Sequence, residues 1–163
     1  MVNKIFSTTV ALALLLTQVA HSLAQESGPP TPAPPSGPSL PTPSPLRATY
    51  DPKFDNSNGS MNSVACSNGD NGLETKFPTF ASIPSFPFIG GAYDIVWNSP
   101  NCGSCWNITN PQTGLSTLMT AIDTSGVGFN LAEEAFAKLT DGDTSVRTIE
   151  VVASKLSTTP CGS

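Results

Sequence analysis

A proline-rich run over residues 27–46 decides which part of this chain can fold. It reads SGPPTPAPPSGPSLPTPSPL and carries no charged side chain. Each proline fixes φ and removes an N–H donor, so the run favours extended polyproline II and cannot form a hydrophobic core. We therefore predict a Pro/Ser/Thr-rich disordered linker over residues 25–46, with a composition that suits O-glycosylation. The folded domain is predicted over residues 47–163.

The first 24 residues have the build of a secretory signal peptide. A basic start with Lys4 precedes an apolar stretch over residues 5–20, and Ser22-Leu23-Ala24 places small residues before Gln25. The alternative is a membrane anchor. It is disfavoured because the apolar stretch of roughly 16 residues falls short of the ~20 that a spanning helix needs. We expect cleavage after Ala24 and secretion of the mature chain.

Charge and histidine content exclude several classes of function. The chain has 12 acidic and 7 basic residues and a formal net charge of −5. It has no Lys/Arg cluster of the kind that binds nucleic acid or an anionic membrane. Its one histidine, His21, lies in the predicted signal peptide, so the mature chain would lack the imidazole that Ser-His-Asp catalysis and His-ligated zinc require. We expect no metal and no cofactor.

Short segments rich in β-branched and aromatic residues predict a mainly β domain. The alternation in Arg147-Thr148-Ile149-Glu150-Val151 is typical of a half-buried strand. Glycine- and asparagine-containing turn signals separate the segments, and this regular spacing favours a β-barrel with helical decoration. The predicted strands cover residues 48–50, 61–65, 92–97, 105–109, 116–122 and 146–153.

One helix is predicted over residues 131–139. Asn130 is the expected N-cap, and Glu133 follows three residues later as in a capping box. The free N–H groups of such a helix start could bind hydroxyl or acetamido oxygens. The apolar face of the helix is predicted to consist of Ala132, Ala135, Phe136 and Leu139.

The four cysteines, Cys66, Cys102, Cys105 and Cys161, are an even set in a chain predicted to be secreted, so two disulfides are expected. Three pairings are compatible with the sequence. Cys102-Gly103-Ser104-Cys105 also matches a redox pair or half of a zinc site. Zinc is disfavoured because a second CxxC and a mature histidine are missing. Redox chemistry is disfavoured because two further cysteines are present to pair with these two.

Several short sequence blocks stand out in the domain. They read YDPKFD over residues 50–55, CSNGDNGL over 66–73, FPFIGGA over 86–92, WNSPNCGSCW over 97–106, AID over 121–123 and GFN over 128–130. In this order, and with all four cysteines, they resemble the cerato-platanin family of small secreted fungal proteins. The resemblance implies a six-stranded double-ψ β-barrel with one main helix and short helical turns. It also implies that Cys66 pairs with Cys102 and Cys105 with Cys161.

The resemblance also implies a function. Family members bind chitin or N-acetylglucosamine oligomers, loosen cellulose without clear hydrolysis and elicit plant defence. We therefore expect a protein of the fungal cell wall or medium, with wall polysaccharide and a plant host receptor as partners, and a monomer that can self-assemble at surfaces. Two alternatives stay open: a weak β-1,4-glycanase with Asp123 as its acid, and a structural or surface-active wall protein.

The segment DTSGVGFN over residues 123–130 is the strongest candidate for a carbohydrate site. Sugars are neutral and rich in hydroxyls, so acid and amide side chains beside an apolar face suit them, and glycines allow close backbone approach. Asp123 ends an apolar strand without an obvious local partner, which favours a binding role, whereas core burial suits Phe129 better. The predicted carbohydrate-binding residues are Asp123, Gly128, Phe129, Asn130, Asn71, Asp70, Asp94 and Tyr50.

Catalysis is the weaker hypothesis. A glycosidase needs two carboxyl groups about 5–9.5 Å apart around one bond. In the resemblance, Asp123 matches the acid shared by expansins and related endoglucanases, but their histidine-containing motif has no counterpart here. The candidates for a second carboxylate, by presence alone, are Asp51, Asp55, Asp70 and Asp94. Non-catalytic binding is therefore our first hypothesis.

Trp97 and Trp106 flank the CxxC segment within apolar stretches, so we predict that both are buried rather than exposed as sugar-stacking platforms. Phe80, Phe86 and Phe88 are interrupted by prolines and are predicted to form a loop held against the barrel. The alternative for these three is an exposed, surface-active patch.

Two intact sequons predict N-glycosylation. They are Asn58-Gly59-Ser60, in a predicted turn, and Asn107-Ile108-Thr109, in a predicted strand.

Overall fold

The computed structural model describes residues 45–126 and 128–163. The predicted signal peptide lies outside the described residues, as does the predicted linker apart from its last two positions. Leu46, one residue before the predicted domain boundary, belongs to the first strand. Within the described residues, no helix is long and apolar enough to span a bilayer.

Six β-strands close into a barrel. Their bounds are β1 Leu46–Tyr50, β2 Ile89–Ala92, β3 Cys105–Thr109, β4 Ser116–Thr124, β5 Gly128–Leu131 and β6 Ile149–Ser157. Around the barrel the order is β1-β5-β2-β4-β3-β6, with β1–β5 and β2–β4 parallel and the other neighbours antiparallel. Closure leaves no unpaired sheet edge among these six strands of the described residues. This is the six-stranded barrel that the resemblance implied.

The strand predictions are correct where polar and apolar residues alternate within the segment itself. They are wrong where a turn or a contact with another segment determines the local structure. β3 has the predicted bounds, and β4 extends two residues beyond its prediction. The predicted strand over residues 61–65 is instead a 3-10 helix, Met61–Ser63, because the Ser60 hydroxyl accepts the N–H of Asn62 and turns the chain. A further 3-10 helix spans Phe80–Ser82.

Two other strand predictions are wrong in position or missing. The strand predicted over residues 92–97 lies earlier, and the chain leaves it at Ala92, whose carbonyl accepts the N–H of Ile95 in a turn. β5 was not predicted at all, since it is short and begins with glycine. β6 begins three residues later than predicted and extends to Ser157.

The helix α1 spans Glu133–Leu139 and buries the predicted apolar face. The predicted cap is wrong: Asn130 belongs to β5, and the N-cap position is held by Ala132, which has no side-chain acceptor. Asp55, at the end of the 3-10 helix Pro52–Asp55, accepts the N–H of Glu133 at 2.9 Å and that of Glu134 at 3.3 Å. The helix start is therefore satisfied from a distant segment and offers these two N–H groups to no ligand.

Both disulfides implied by the resemblance are present. Cys66–Cys102 joins the loop after the 3-10 helix Met61–Ser63 to the loop before β3, and Cys105–Cys161 joins the start of β3 to the last residues of the chain. Their partners are 36 and 56 positions apart in sequence. The first fastens two irregular segments to each other, and the second fastens the last residues to the barrel. Buried aliphatic and aromatic side chains fill the barrel interior.

Candidate functional site

A polar hollow of about 290 Å³ lies at the end of the barrel where β4 leaves and β5 begins. This is near the lower end of the ~300–1,000 Å³ range of ligand pockets. It is an open depression and presents hydroxyl, amide and guanidinium groups beside an aromatic residue. The hollow is lined by Arg47, Thr49, Thr124, Ser125, Gly126, Phe129 and Asn130.

The parallel pairing of β1 with β5 assembles this polar hollow. Thr49 lies opposite Asn130 in the register, and its hydroxyl donates to Asn130 Oδ1 at 3.0 Å. That bond occupies the amide oxygen and directs Nδ2 of Asn130 to other acceptors, such as a ligand oxygen. Alternation along β1 places Arg47 on the same face as Thr49.

Asp123 stands beside the polar hollow without lining it. Its residue exposure is only 8%, and both carboxylate oxygens are occupied. Oδ1 accepts the main-chain N–H of Ala65 and of Thr124, at 3.0 and 2.9 Å, while Oδ2 pairs with Lys53 Nζ at 3.0 Å. The sequence shows no obvious local partner for this acid, but the folded chain supplies three: Lys53 and Ala65 from distant segments, and the N–H of its chain neighbour Thr124. Its observed contacts hold together the 3-10 segment, the loop at Ala65 and the end of β4.

The two glycines of the motif play different parts. Gly128 has φ of +139°, and a Cβ added there would lie 2.1 Å from the main-chain oxygen of Arg47. The missing side chain thus lets β1 and β5 approach, rather than a ligand. Gly126 lines the hollow, with no heavy atom within 4 Å of where its Cβ would be.

Phe129 is buried, as expected for a core residue, with 1% exposure. Its ring packs edge-on against Trp106, at a centroid distance of 5.3 Å, and against Tyr93 at 5.9 Å. Phe129 therefore supports the floor of the polar hollow from the barrel interior. Trp106 is buried as predicted, at 4% exposure.

The structure places three predicted residues away from the polar hollow's lining. Tyr50 follows Thr49 and so faces the other side of β1, where its ring packs on Phe136 and its hydroxyl donates to the carbonyl of Thr144. Asp94 forms an ion pair with Lys155 at 2.7 Å. Asp70 is exposed in the loop after Cys66.

Asn71 lies in that same loop and bonds to Asn98 rather than to the polar hollow. Its main-chain N–H donates to Asn98 Oδ1 at 2.9 Å, and its Nδ2 donates to the Asn98 carbonyl at 3.0 Å. The residue before Asn98 is Trp97, whose predicted burial is wrong: Trp97 is 63% exposed. The chain has already left β2 at Ala92, so the apolar stretch over residues 92–97 is not a buried strand.

Sequence reasoning missed much of the polar hollow. Arg47 and Thr49 precede the motif by about 80 positions, and nothing local shows that β1 pairs in parallel with β5. Thr124 and Ser125 lie within DTSGVGFN and could have been found, since each hydroxyl follows the end of an apolar strand. The prediction instead named Asp123 and Phe129 of this motif.

A larger, shallower hollow of about 580 Å³ lies elsewhere, between the segment before β2 and the start of β4. Its walls are mainly apolar and include Phe86, Phe88 and Leu118. Both phenylalanines are half-buried and pack against the core. This agrees with the prediction that their loop is held against the barrel. Four polar residues, Ser85, Ser116, Thr117 and Lys138, also line it, but because its surface is mainly apolar it is less suited to a hydroxyl-rich sugar than the polar hollow.

Comparison with known proteins gives a consistent result. The cerato-platanin family model matches residues 46–163. Allergen Asp f 15 of Aspergillus fumigatus is 52% identical over 99 residues, which is 60% of this chain and 64% of that protein. Cerato-platanin of Ceratocystis fimbriata f. sp. platani is 47% identical over 92 residues, covering 56% of this chain and 67% of that protein. This chain thus spans a little under two thirds of the Aspergillus relative.

Solved structures share the fold. Cerato-platanin 2 from M. perniciosa superposes with a TM-score of 0.65 at 44% identity, covering 69% of this chain and 94% of that one. The solution structure of the fungal elicitor cerato-platanin gives 0.63 at 38% identity, covering 69% and 93%. The residues that match the family model, 46–163, contain the described barrel. This chain belongs to the cerato-platanin family.

Proposed function

We propose that this chain is a secreted fungal protein that binds N-acetylglucosamine oligomers of the cell wall in the polar hollow, without hydrolysing them. The observation that carries the proposal is the Thr49–Asn130 pair, which orients the Asn130 amide donor at an open depression lined by hydroxyl groups. An acetamido sugar offers a carbonyl oxygen and several hydroxyls to such a surface. Wall loosening and elicitation of plant defence would follow from this binding.

The family relation supports the elicitor part of the proposal. One related solution structure is described as that of a fungal elicitor. The two disulfides suit an extracellular location, where oxidising conditions preserve them. Elicitation by this chain would then depend on the folded barrel and on a host partner of its own.

The geometry favours binding over glycanase activity. A general acid must present a proton to the leaving oxygen, whereas the oxygens of Asp123 already accept from Ala65, Thr124 and Lys53 beneath the surface. An enzyme would also need a second carboxyl group across the same bond, and the lining of the polar hollow contains none.

Titration with N-acetylglucosamine hexamer, followed by NMR of labelled mature protein, tests the proposal. We expect shifts at Thr49, Thr124 and Asn130 in the wild type and at least tenfold weaker binding, or about 1.4 kcal/mol, in Asn130→Ala. Asn62→Ala, an exposed amide outside the hollow, is the matched control and should bind as wild type. Because Asn130→Ala also removes a hydrogen-bond partner of Thr49, Ser125→Ala serves as a second variant.

Binding with no shift at these residues, or equal affinity in Asn130→Ala and Ser125→Ala, would refute the assignment. Hydrolysis is checked separately by reducing-end release from soluble β-1,4-glucan. Release that disappears in Asp123→Asn would establish the glycanase alternative.

A further inference from the structure

Trp97 is a large apolar side chain that the fold leaves in solvent, with 63% of its surface exposed. Tryptophan is enriched at binding surfaces, where its ring offers apolar contact area while its N–H is hydrogen-bonded. We propose that Trp97 is a stacking surface for a pyranose ring of insoluble wall polysaccharide, a contact separate from the polar hollow. The proposal takes its substrate class from the proposed function and rests on different residues.

The indole of Trp97 is fixed in orientation. Its Nε1 donates to Asn68 Oδ1 at 2.8 Å, a bond that lies in the plane of the ring. One edge of the ring is therefore tied down, and the exposed area must come from the remaining edge and the faces. A flat apolar face held in place is what stacking on the C–H face of a sugar requires, since little rotamer freedom is left to lose on binding.

The support beneath Trp97 is built from two clamped loops. The disulfide Cys66–Cys102 joins them next to the tryptophan. Asn71 adds two hydrogen bonds to Asn98, which follows Trp97 in the chain. Asn98 itself has a left-handed φ of 57°. The site is therefore preorganised by covalent and polar contacts rather than by packing of the indole itself.

The surroundings of Trp97 suit a neutral, hydroxyl-rich ligand. Val96 beside it is also 63% exposed and enlarges the apolar surface. The nearby charges of Asp94 and Lys155 are paired with each other at 2.7 Å. Among the described residues, Asn68 Nδ2 has no hydrogen-bond acceptor, so it is free to bind a sugar hydroxyl.

Trp97 lies toward the same end of the barrel as the polar hollow. Ala92 ends β2, and its carbonyl accepts the N–H of Ser125, which lines the hollow. The chain reaches Trp97 five positions later. Both surfaces therefore lie on segments that leave the parallel strands β2 and β4 at their carboxyl ends.

The two tryptophans provide a direct readout, because Trp106 is only 4% exposed. Acrylamide quenching of the full secreted chain should report mainly on Trp97. We expect a suspension of fine chitin particles, and the N-acetylglucosamine hexamer, to protect this fluorescence from quenching. The Trp97→Phe variant keeps only the buried reporter, and its signal should not respond.

Substitutions distinguish stacking on Trp97 from non-specific adsorption to exposed apolar side chains. We expect Trp97→Ala to bind chitin particles about tenfold or more weakly, with Trp97→Phe much less affected because it retains a ring. Asn68→Ala should also weaken binding, since the indole remains but loses its orienting hydrogen bond and the neighbouring amide donor. Val152→Ala removes a similarly exposed apolar side chain on β6 and should bind as wild type.

The outcomes distinguish this proposal from the proposed function. Loss in Trp97→Ala with normal binding in Asn130→Ala supports stacking and refutes the polar hollow, while the reverse refutes stacking and leaves the hollow intact. Equal chitin binding by Trp97→Ala, together with loss of a dimer in sedimentation, overturns the proposal and makes Trp97 a contact between copies of the chain.

Discussion

The carboxylate of Asp55 accepts the main-chain N–H of Glu133 at 2.9 Å, across 78 positions of sequence. It also accepts the N–H of Glu134 and so caps α1 in place of a local residue. We expect Asp55→Ala to lower the free energy of unfolding by about 1–2 kcal/mol, since two donors lose their acceptor and the helix loses a negative charge at its start. Urea denaturation monitored by circular dichroism measures this.

Two further variants test whether the loss of unfolding free energy comes from the missing cap. Asp55→Asn keeps an acceptor oxygen and should lose less than Asp55→Ala. Asp70→Ala removes an exposed carboxylate elsewhere and should change stability by less than about 0.5 kcal/mol. Wild-type stability in Asp55→Ala would show that the cap contributes nothing.

Asp123 is expected to act on stability more than on affinity. Asp123→Ala leaves the N–H groups of Ala65 and Thr124 without an acceptor, at a cost of about 1–3 kcal/mol. Asp123→Asn retains one acceptor for them and loses the ion pair with Lys53, whose own side chain is half-exposed, so the pair contributes little. Chemical denaturation combined with oligomer titration separates the two effects.

The expected result for Asp123→Asn is a folded protein with wild-type affinity for the N-acetylglucosamine hexamer. A tenfold loss of affinity at unchanged stability would instead place Asp123 in direct contact with the sugar.

The sequence predicts local structure well and predicts contacts between distant segments poorly. β3 was located from its own residues, since Trp106 and Ile108 are buried on one face while Asn107 and Thr109 are half-exposed on the other. The sequence pattern predicted Asn130 as the cap of α1. The residue that accepts the helix N–H groups is Asp55, which lies beside the start of α1 only in the folded barrel.

The same limit applies to the candidate site. DTSGVGFN was found because an acid, glycines and an amide follow one another, and Asn130 and Phe129 do line the polar hollow. Thr49 could not be found, since its place beside Asn130 depends on parallel pairing. Trp97 was misjudged because exposure depends on where β2 ends, and the turn at Ala92 has no strong sequence signal.

Gly128 and Gly126 offer a matched test of the β1–β5 approach. Gly128→Ala would place a Cβ 2.1 Å from the Arg47 oxygen at a φ that side chains rarely adopt. We expect a loss of more than about 3 kcal/mol, or failure to fold. Gly126→Ala meets no atom within 4 Å and should stay within about 0.5 kcal/mol of wild type. Thermal and urea unfolding of both variants would contradict this account if their stabilities were equal.

Each disulfide is expected to contribute substantially to stability. For loops of 36 and 56 positions, loop-closure entropy gives about 4 kcal/mol for each bridge. Replacing Cys66 and Cys102 together by serine should also release the loops that hold Trp97. Because Trp97 already lies in solvent, its release changes its rotational freedom rather than its emission wavelength. We expect a lower fluorescence anisotropy of Trp97 before global unfolding in that variant only, whereas the Cys105/Cys161 double variant should keep the native anisotropy until it unfolds.

Asn107 is expected to carry an N-glycan when the chain passes through a eukaryotic secretory pathway. The sequon lies in β3, yet Asn107 is half-exposed on the outer face of the barrel, opposite Leu118 and Ser154. Glycan transfer precedes folding, so the strand is no obstacle provided that the folded side chain points outward. A small hollow of about 170 Å³ lies beside Asn107, with Val152 in its wall.

Mass spectrometry of the peptide that contains Asn107, before and after enzymatic deglycosylation, measures occupancy. Thr109→Ser retains the sequon and should keep the glycan, while Thr109→Ala should lose it with little change in fold, because Thr109 is half-exposed on the strand. Since Leu118 and Val152 are about half-exposed on this face, the glycan would cover apolar surface, and Thr109→Ala should aggregate more readily than Thr109→Ser. An unmodified Asn107 in secreted protein whose Asn58 is occupied would show that the outer face of β3 is closed to the transferase.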